Sequence, residues 1–181
     1  MKKRFKRKKG PVQANKVEYN GVKFASGLEK YMYIALKDAG IEFEYEFRTF
    51  QLLPTFEFNQ VAYERQANGK GEYKDRGNKK MLGIKYTPDF EGSDFIIETK
   101  GRANDSFPLR YKLFKALLAV TEPSISLYKP QNQAECNETV KLILEKQKKW
   151  FKKIQLTQGL IRVYLERGML RGSLTSGLSG A

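Results

Sequence analysis

Two short segments with strand character, close together in the sequence, constrain this chain more than any other feature. Residues 84–90 and 95–100 are rich in β-branched and aromatic side chains, which is typical of β-strands. Gly92 and Ser93 lie between them and suit a two-residue hairpin turn. The region is therefore predicted to form an antiparallel hairpin.

Three charged side chains share one face of this hairpin. Because side chains alternate between the two faces of a strand, Ile96, Glu98 and Lys100 lie on the same face. The predicted turn places Asp89 opposite Ile96 and diagonal to Glu98, within reach of its carboxylate. One face is thus predicted to hold two carboxylates and an ammonium group.

This cluster has the composition of a metal-dependent phosphodiesterase site. Carboxylate oxygens suit Mg²⁺, which needs only one or two of them beside water and phosphate oxygens. The metal would activate a water molecule, and Lys100 would orient that water or stabilise the developing charge. The alternative is a solvent-facing hairpin with a surface ion pair worth about 1 kcal/mol at most. Taken alone, the spacing favours this alternative, because charged strand faces are common.

The overall charge indicates a nucleic-acid partner. The 181 residues include 34 Lys and Arg against 20 Asp and Glu, a net charge of +14 with a pI near 9.7. A field of this sign favours binding of a polyanion. The sequence contains no histidine, which excludes nucleases that depend on a histidine base, nucleophile or metal ligand. A hydrolase of this composition must use carboxylates, lysine, tyrosine and a metal ion.

Membrane and disulfide classes are disfavoured by the sequence. No apolar run approaches the length of a membrane span, and the basic N-terminus lacks the apolar segment of a signal peptide. We therefore expect no membrane partner. Cys136 is the single cysteine, so an internal disulfide and a cysteine zinc site are both excluded.

A basic arm is predicted at the N-terminus, over residues 1–14. Its first ten residues contain seven cations and no acid, so we expect the free arm to be disordered and to lie along DNA phosphates when bound. A solubilising or targeting tail is the alternative. The candidates for DNA binding are these seven cations and two later arginines: Lys2, Lys3, Arg4, Lys6, Arg7, Lys8, Lys9, Arg102 and Arg110.

A helix with a capping-box start is predicted from Ser26 to Ala39, ending at Gly40. Its Glu29 has two roles available, which the spacing does not separate. It can return a hydrogen bond to the backbone at Ser26, or it can reach the metal as a third carboxylate. The predicted buried stripe of this helix comprises Leu28, Met32, Ala35 and Ala39.

The next segments predict a strand and a loop. Residues 41–47 alternate between apolar side chains and glutamates, which indicates a half-buried strand. The phase of the pattern then changes, so a bulge or bend is predicted near Arg48 and Thr49. Residues 67–80 are rich in Gly, Lys and Asn and predict a flexible loop.

The remaining pattern completes an α/β core around a mixed sheet. A helix is predicted over residues 107–120, a strand over 124–128 and a second helix over 138–154. The second helix could serve dimerisation, DNA binding or simple packing of the core. The predicted N-caps are Asp105 or Ser106 for the first helix and Asn137 for the second.

Four short motifs occur in a fixed order along the chain. They are residues 24–29, 40–46, 86–90 and 97–101, which contain the predicted cap, the glutamate strand and the two halves of the hairpin. Over roughly residues 15–120 the chain resembles the phage endonuclease I family. That family comprises Holliday-junction resolvases of the PD-(D/E)XK, restriction-endonuclease-like group. The resemblance implies Mg²⁺- or Mn²⁺-dependent cleavage of branched DNA, such as a four-way junction, by a symmetric homodimer in the cytoplasm of a bacterial host.

The resemblance also implies roles for particular residues. Asp89 and Glu98 correspond to the principal metal ligands, with the Thr99 carbonyl completing the site. Lys100 corresponds to the catalytic lysine. The two further catalytic positions are Glu29, a helix-borne carboxylate at the metals, and Glu44, an accessory acid.

One departure from the family concerns an inserted loop at about residues 56–83, where the family has a short connection. The insertion leaves open whether the dimer geometry and the junction preference persist, and it could equally clamp a DNA arm. The predicted organisation is a disordered basic arm (1–14), an α/β restriction-endonuclease-like core of a mixed sheet flanked by helices (15–130), a helical extension (131–171) and a disordered tail (172–181).

These observations together predict a metal-dependent, structure-selective endodeoxyribonuclease of the junction-resolvase type. One alternative is a general DNA-degrading or end-cleaving nuclease of the same fold without junction selectivity. The other is a basic DNA-binding protein without catalytic activity.

Overall fold

The chain folds as a mixed α/β protein. The computed structural model describes residues 15–101 and 104–166, with side chains to residue 158. The basic arm, Arg102 and the predicted tail therefore lie outside the described residues. The elements, in chain order, are β1 Val17–Tyr19, β2 Val22–Phe24, α1 Gly27–Asp38, β3 Glu44–Tyr45, β4 Phe50–Leu53, β5 Phe56–Phe58, β6 Tyr63–Glu64, β7 Lys74–Asp75, β8 Lys79–Met81, β9 Ile84–Tyr86, β10 Phe90–Glu91, β11 Phe95–Ile97, α2 Phe107–Thr121, β12 Ser126–Tyr128 and α3 Gln133–Glu166.

A four-stranded sheet forms the centre, in the order β12-β11-β10-β3. Strand β11 pairs antiparallel with β10 and parallel with β12, and β10 pairs antiparallel with β3. The parallel pair requires a crossover, which α2 supplies between β11 and β12. The predictions of an α/β fold and of a mixed sheet are therefore confirmed.

The hairpin of β10 and β11 forms, but its predicted register was wrong by two residues. Phe90 pairs with Ile97, and the Gly92 N–H donates to the Phe95 carbonyl at 2.9 Å, so the turn residues are Ser93 and Asp94. The buried Phe95 ring explains the shift, because a Cβ on Gly92 would lie 2.3 Å from it and only glycine fits beneath the ring. A shift of two residues preserves the faces, since side chains alternate with period two.

Helix α1 begins as predicted and buries a different stripe. The Ser26 hydroxyl accepts from the Glu29 N–H at 3.2 Å, which confirms the cap. The residues of α1 that are fully buried are Glu29, Met32 and Leu36. The predicted stripe was right only for Met32, because the stripe follows i, i+3, i+7 from Glu29. This rotation carries the Glu29 carboxylate towards the interior.

The glutamate strand is shorter than predicted. Alternation of burial holds from Ile41 to Tyr45, but β3 covers only two residues and Phe47 is exposed. Glu46 has a φ of 47°, in the left-handed region, so the bend falls before the predicted position near Arg48. The chain then turns to enter β4.

The segment predicted as an inserted loop is a two-stranded antiparallel ribbon. Three successive ladders build it, from β4 with β9, β5 with β8 and β6 with β7. The backbone approaches itself closely at two glycines of the ribbon, since a Cβ on Gly77 would lie 1.9 Å from the Gln60 carbonyl oxygen and one on Gly83 would lie 2.5 Å from that of Leu53. The loop predicted over residues 67–80 holds for residues 67–73, but β7 and most of β8 lie in the rest of that range.

Helix α2 packs against the sheet face that carries Ile96. Its N-terminus is capped by Asn104, whose Oδ1 accepts from the Phe107 N–H at 2.9 Å; the predicted cap Ser106 makes no such bond to the helix. The buried core between α2, the ribbon base and the sheet consists of Phe50, Tyr86, Ile96, Phe107, Tyr111, Phe114 and Leu118. An aromatic cluster covers the opposite face, where Phe90 contacts Phe43 and Tyr45.

Helix α3 begins five residues earlier than predicted. Asn132 caps it, since its Oδ1 accepts from the Glu135 N–H at 3.0 Å and Glu135 accepts in turn from the Gln131 N–H. This is a capping-box arrangement that the assignment to Asn137 missed. The chain divides into two compact units after Asn137, and α3 starts in the first of them. No helix within the described residues is long and apolar enough to cross a membrane.

Cys136 should be inert in the native protein. Its side chain is 0% exposed, and burial raises the pKa of its thiol to about 11. Only the thiolate attacks disulfide reagents, so at pH 8 we expect no reaction with Ellman's reagent in buffer and one equivalent in guanidinium chloride. A Cys136→Ser variant provides the blank. Stoichiometric labelling of the native protein within minutes would contradict the prediction.

Candidate active site

Asp89 and Glu98 face each other across the β10–β11 hairpin. Continuing the observed register past Phe90 and Ile97 places the two acids opposite one another, closer than the predicted diagonal. Glu98 is 5% exposed and Asp89 is half-buried. The Thr99 N–H and hydroxyl both donate to Asp89 Oδ2, each at 2.6 Å, which fixes the orientation of this carboxylate.

Lys100 completes this arrangement from the same strand face as Glu98. Its Nζ lies 3.5 Å from Glu98 Oε1 and 4.7 Å from the ring centroid of Phe107. The backbone is held by parallel pairing that continues beyond β12, with Glu98 N–H bonded to the Tyr128 carbonyl and Lys100 N–H to that of Pro130. Its side chain is 31% exposed, so the ammonium group remains accessible from solvent.

The acids are held where negative charge is costly. Burial raises the pKa of Asp89, and repulsion from Glu98 and Glu29 adds to this effect, while the hydrogen bonds from Thr99 oppose it. Burial also raises the pKa of Glu98, and Lys100 opposes that shift. A carboxylate pair of this kind is stabilised by a nearby cation.

The structure gives Glu29 the capping role and keeps it close to the pair. Its Oε2 accepts from the Ala25 N–H at 2.8 Å and from the Tyr45 hydroxyl at 3.0 Å, and its Oε1 accepts from Ser26 Oγ at 2.9 Å. Its charge contributes to the raised pKa values of both Asp89 and Glu98. The sequence left the two roles of Glu29 equally open. The hydrogen bonds observed are of the capping kind, although the backbone donor is Ala25 and Ser26 donates through its hydroxyl.

The donor set fits a hard divalent cation. Asp89 and Glu98 supply carboxylate oxygens, and Thr99, which follows Glu98 and donates two hydrogen bonds to Asp89, has its backbone carbonyl as the third candidate donor. Within residues 15–101 and 104–166, no three or more His, Cys, Asp or Glu side chains form a ready-made metal group. Mg²⁺ binds through one or two carboxylates and retains several waters, so two acids and a carbonyl are sufficient ligands.

Glu44 lies apart from the Asp89–Glu98 pair. It is exposed on β3 and pairs with Glu91 of β10, which lies two residues beyond Asp89. Glu91 is held by Arg48, whose Nη2 also contacts Glu122 at 2.7 Å, so this end of the sheet is tied to the end of α2. The structure therefore brings together five of the six predicted site residues and leaves Glu44 at the margin.

Arg110, a predicted DNA contact, has a structural partner. Its guanidinium donates to the Lys85 carbonyl and lies 5.9 Å from the Tyr86 ring centroid, which joins α2 to β9. Arg110 remains exposed at its surface. The other predicted DNA contacts lie outside the described residues.

Two tyrosines near the acids were missed by sequence reasoning. The Tyr45 hydroxyl donates to Glu29, and burial together with that carboxylate raises the tyrosine pKa. The Tyr86 hydroxyl is buried beside Glu98, close enough to favour its ionised form but outside regular hydrogen-bond geometry. Both belong to apolar alternations in the sequence, which indicate packing and give no signal for the hydroxyl at the end of the ring.

The fold and the site define a mixed α/β protein with a carboxylate pair, one acid buried and one half-buried, next to a lysine. The chain belongs to the family described as "Protein of unknown function (DUF1064)", whose model matches residues 8–127. This match contains Glu29, Asp89, Glu98 and Lys100 and ends within β12. No curated protein and no solved structure matches the chain.

Proposed function

We propose that this protein is a metal-dependent endodeoxyribonuclease that cleaves branched DNA. The observation that carries the proposal is the placement of Asp89 opposite Glu98, with the Lys100 ammonium 3.5 Å from Glu98. Two opposed acids and a lysine on adjacent strands supply both ligands for a hard cation and a positively charged group for the reacting phosphate.

Some residues of the site would hold the metal ion, and Lys100 would orient the attacking water. Asp89 and Glu98, with the Thr99 carbonyl, would hold Mg²⁺ or Mn²⁺, and Thr99 keeps Asp89 Oδ2 fixed through two hydrogen bonds. A bound ion of this type polarises a phosphate and lowers the pKa of coordinated water. Lys100 orients the attacking water or stabilises the negative charge that develops on the phosphate. Burial excludes bulk water around Glu98 and so strengthens its interaction with Lys100.

We place the path of the DNA backbone beside Lys100. Phe107, whose ring lies under the Lys100 ammonium group, also lines an open cavity of about 380 Å³ together with Tyr111 and three lysines. These are Lys112, Lys115 and Lys129. Cations around a cavity suit the phosphates of a nucleic-acid chain. The net charge of +14 favours the same ligand.

The finer assignments rest on the resemblance to phage endonuclease I. We propose a restriction-endonuclease-like core, a homodimeric enzyme and a cytoplasmic site of action in an infected bacterium. The mixed sheet and the helix that begins at Ser26 are compatible with such a core.

Cleavage of a four-way junction and of its constituent duplexes should be compared with Mg²⁺, with Mn²⁺ and with EDTA. We expect nicks near the branch point that need the metal ion, at a rate at least tenfold above that on duplex. Equal rates on junction and duplex would indicate a general nuclease of the same type. Binding without nicking on junction, fork and duplex alike would overturn the proposal.

A further inference from the structure

The outer part of the ribbon, formed by β6, β7 and the turn between them, presents aromatic rings to solvent. Tyr63 is 60% exposed and Tyr73 is 66% exposed, and their ring centroids lie 5.8 Å apart. Every residue from 53 to 82 is exposed or half-buried. Large aromatic side chains gathered on a surface mark a binding site more often than isolated ones do.

These rings lie on one face of the ribbon, together with an arginine. Tyr63 pairs with Asp75 and Glu64 with Lys74, so continuing the register places Arg65 opposite Tyr73. Tyr63, Tyr73 and Arg65 therefore share a face, which we call the tyrosine face. Val61, 67% exposed, extends it towards the ribbon base.

Most acids near the tyrosine face form ion pairs or hydrogen bonds within the ribbon, whereas several cations form no ion pair there. Glu64 forms an ion pair of 2.6 Å with Lys79, and Asp75 Oδ1 accepts from the backbone N–H groups of Ala62 and Gly77. Among the described residues, no ion pair involves the tip cations Arg65, Lys70 and Lys74, and Glu72 is the one acid of the tip without such an engagement. The tip thus offers positive charge beside aromatic rings.

The backbone at the tip is held in place by its own hydrogen bonds. The Gln66 N–H donates to the Lys70 carbonyl and the Gly69 N–H to that of Gln66, at 3.2 and 2.8 Å. The Arg76 N–H donates to the Ala62 carbonyl at 2.7 Å, and the Arg76 side chain to that of Glu64 at 3.1 Å. A rigid support reduces the entropy lost when a ligand binds.

We propose that the tyrosine face binds unpaired bases of DNA by stacking, with Arg65 on the same face and Lys70 at the turn placed against the neighbouring phosphates. Aromatic rings with interleaved cations are the usual means of binding single-stranded nucleic acid, because every base has a face that can stack. This inference rests on the proposed function and adds to it the feature of the substrate that is recognised. The ribbon ends in β9 at Tyr86, three residues before Asp89, so we expect one DNA molecule to contact both the ribbon and the carboxylates.

Binding should be measured by fluorescence anisotropy in EDTA, on a duplex with a short single-stranded gap and on a continuous duplex of equal length. The test variant combines Tyr63→Ser with Tyr73→Ser, and its matched control combines Tyr63→Phe with Tyr73→Phe. We expect the serine pair to weaken binding of the gapped DNA about tenfold and that of the duplex less than twofold. The phenylalanine pair should bind both DNAs like the unaltered protein, because the rings remain.

Phe47→Ser supplies a control for the loss of an exposed ring elsewhere, since Phe47 is 61% exposed and lies outside the ribbon. A second measurement uses Tyr73→Trp in a Trp150→Phe background, where stacking on gapped DNA should quench the fluorescence and duplex should not. Equal losses on both DNAs, or no loss and no quenching, would overturn the inference. The inference would also be overturned if light scattering showed that the serine pair no longer forms a dimer while its DNA affinity is unchanged. That result would assign the tyrosine face to contact with a second copy of the chain.

Because this assay contains no metal ion and scores no cleavage, it separates the two proposals. If the serine pair loses gapped-DNA binding while the unaltered protein nicks no DNA with Mg²⁺ or Mn²⁺, the tyrosine face stands and the nuclease proposal fails. If cleavage of branched DNA occurs but the serine pair binds gapped DNA normally, the nuclease stands and the tyrosine face fails.

Discussion

Replacing Lys100 with alanine should lower the rate of metal-dependent DNA cleavage by about 100-fold or more while DNA affinity in EDTA changes little. The ammonium group lies 3.5 Å from Glu98 Oε1 and is accessible from solvent, so its removal affects the reacting phosphate more than the fold. Asp89→Asn should have a similar effect, because an amide removes the negative charge that attracts a cation. The measurement is a single-turnover rate on a four-way junction with saturating Mg²⁺.

Lys23→Ala provides the matched control, since Lys23 is an exposed lysine on β2. It should cleave at the rate of the unaltered protein. Circular dichroism of each variant checks that the helices are retained. Undiminished nicking by Lys100→Ala or by Asp89→Asn would show that the activity belongs to another site or to a contaminant.

Phe114→Ala should lower the free energy of unfolding by about 3–5 kcal/mol, the cost of deleting a large buried ring and leaving a cavity. Phe114 is 0% exposed, and its ring stacks on Tyr86 at 4.5 Å and meets Phe50 edge-on at 4.9 Å. Because Tyr86 lies beside Glu98, the same cavity loosens the wall of the site. Urea unfolding followed by circular dichroism gives the free energy.

Leu109→Ala is the control on the same helix, since Leu109 is 61% exposed and should cost less than about 1 kcal/mol. If both variants unfolded at the same urea concentration, the packing of α2 against the sheet would not be as described. A lower cleavage rate in folded Phe114→Ala would further support the contact between the core and the site.

The hairpin was predictable from the sequence because its pattern is local. Alternation placed Asp89, Glu98 and Lys100 on one face, and this held although the turn was misplaced. The error arose because two adjacent positions could form the turn, and what selects between them is the Phe95 ring over Gly92, a contact that the pattern does not encode. The shift happened to be even, so it moved the acids closer without reversing the faces.

Features that depend on residues distant in the sequence were harder to predict. The ribbon pairs residues 56–58 with 79–81, and its Gly- and Lys-rich strands have the composition of a loop, so only the pairing itself reveals them. The burial of Glu29 depends on how α1 is rotated against the sheet, and the start of α3 depends on which of two asparagines caps it. The local free energies of the alternative helix rotations and of the two capping positions differ little, so packing with the rest of the protein decides between them.

The Glu29 carboxylate stabilises the N-terminus of α1, and a cation bound at Asp89 would attract the same carboxylate. Its oxygens bond the Ala25 N–H, the Ser26 hydroxyl and the Tyr45 hydroxyl, and drawing them towards the acids would release these donors. The Ser26 hydroxyl would still accept from the Glu29 N–H, but the reciprocal half of the capping arrangement would be lost. Recruitment of Glu29 as a metal ligand would therefore raise the affinity for the cation and at the same time lower the stability of the first turn of α1.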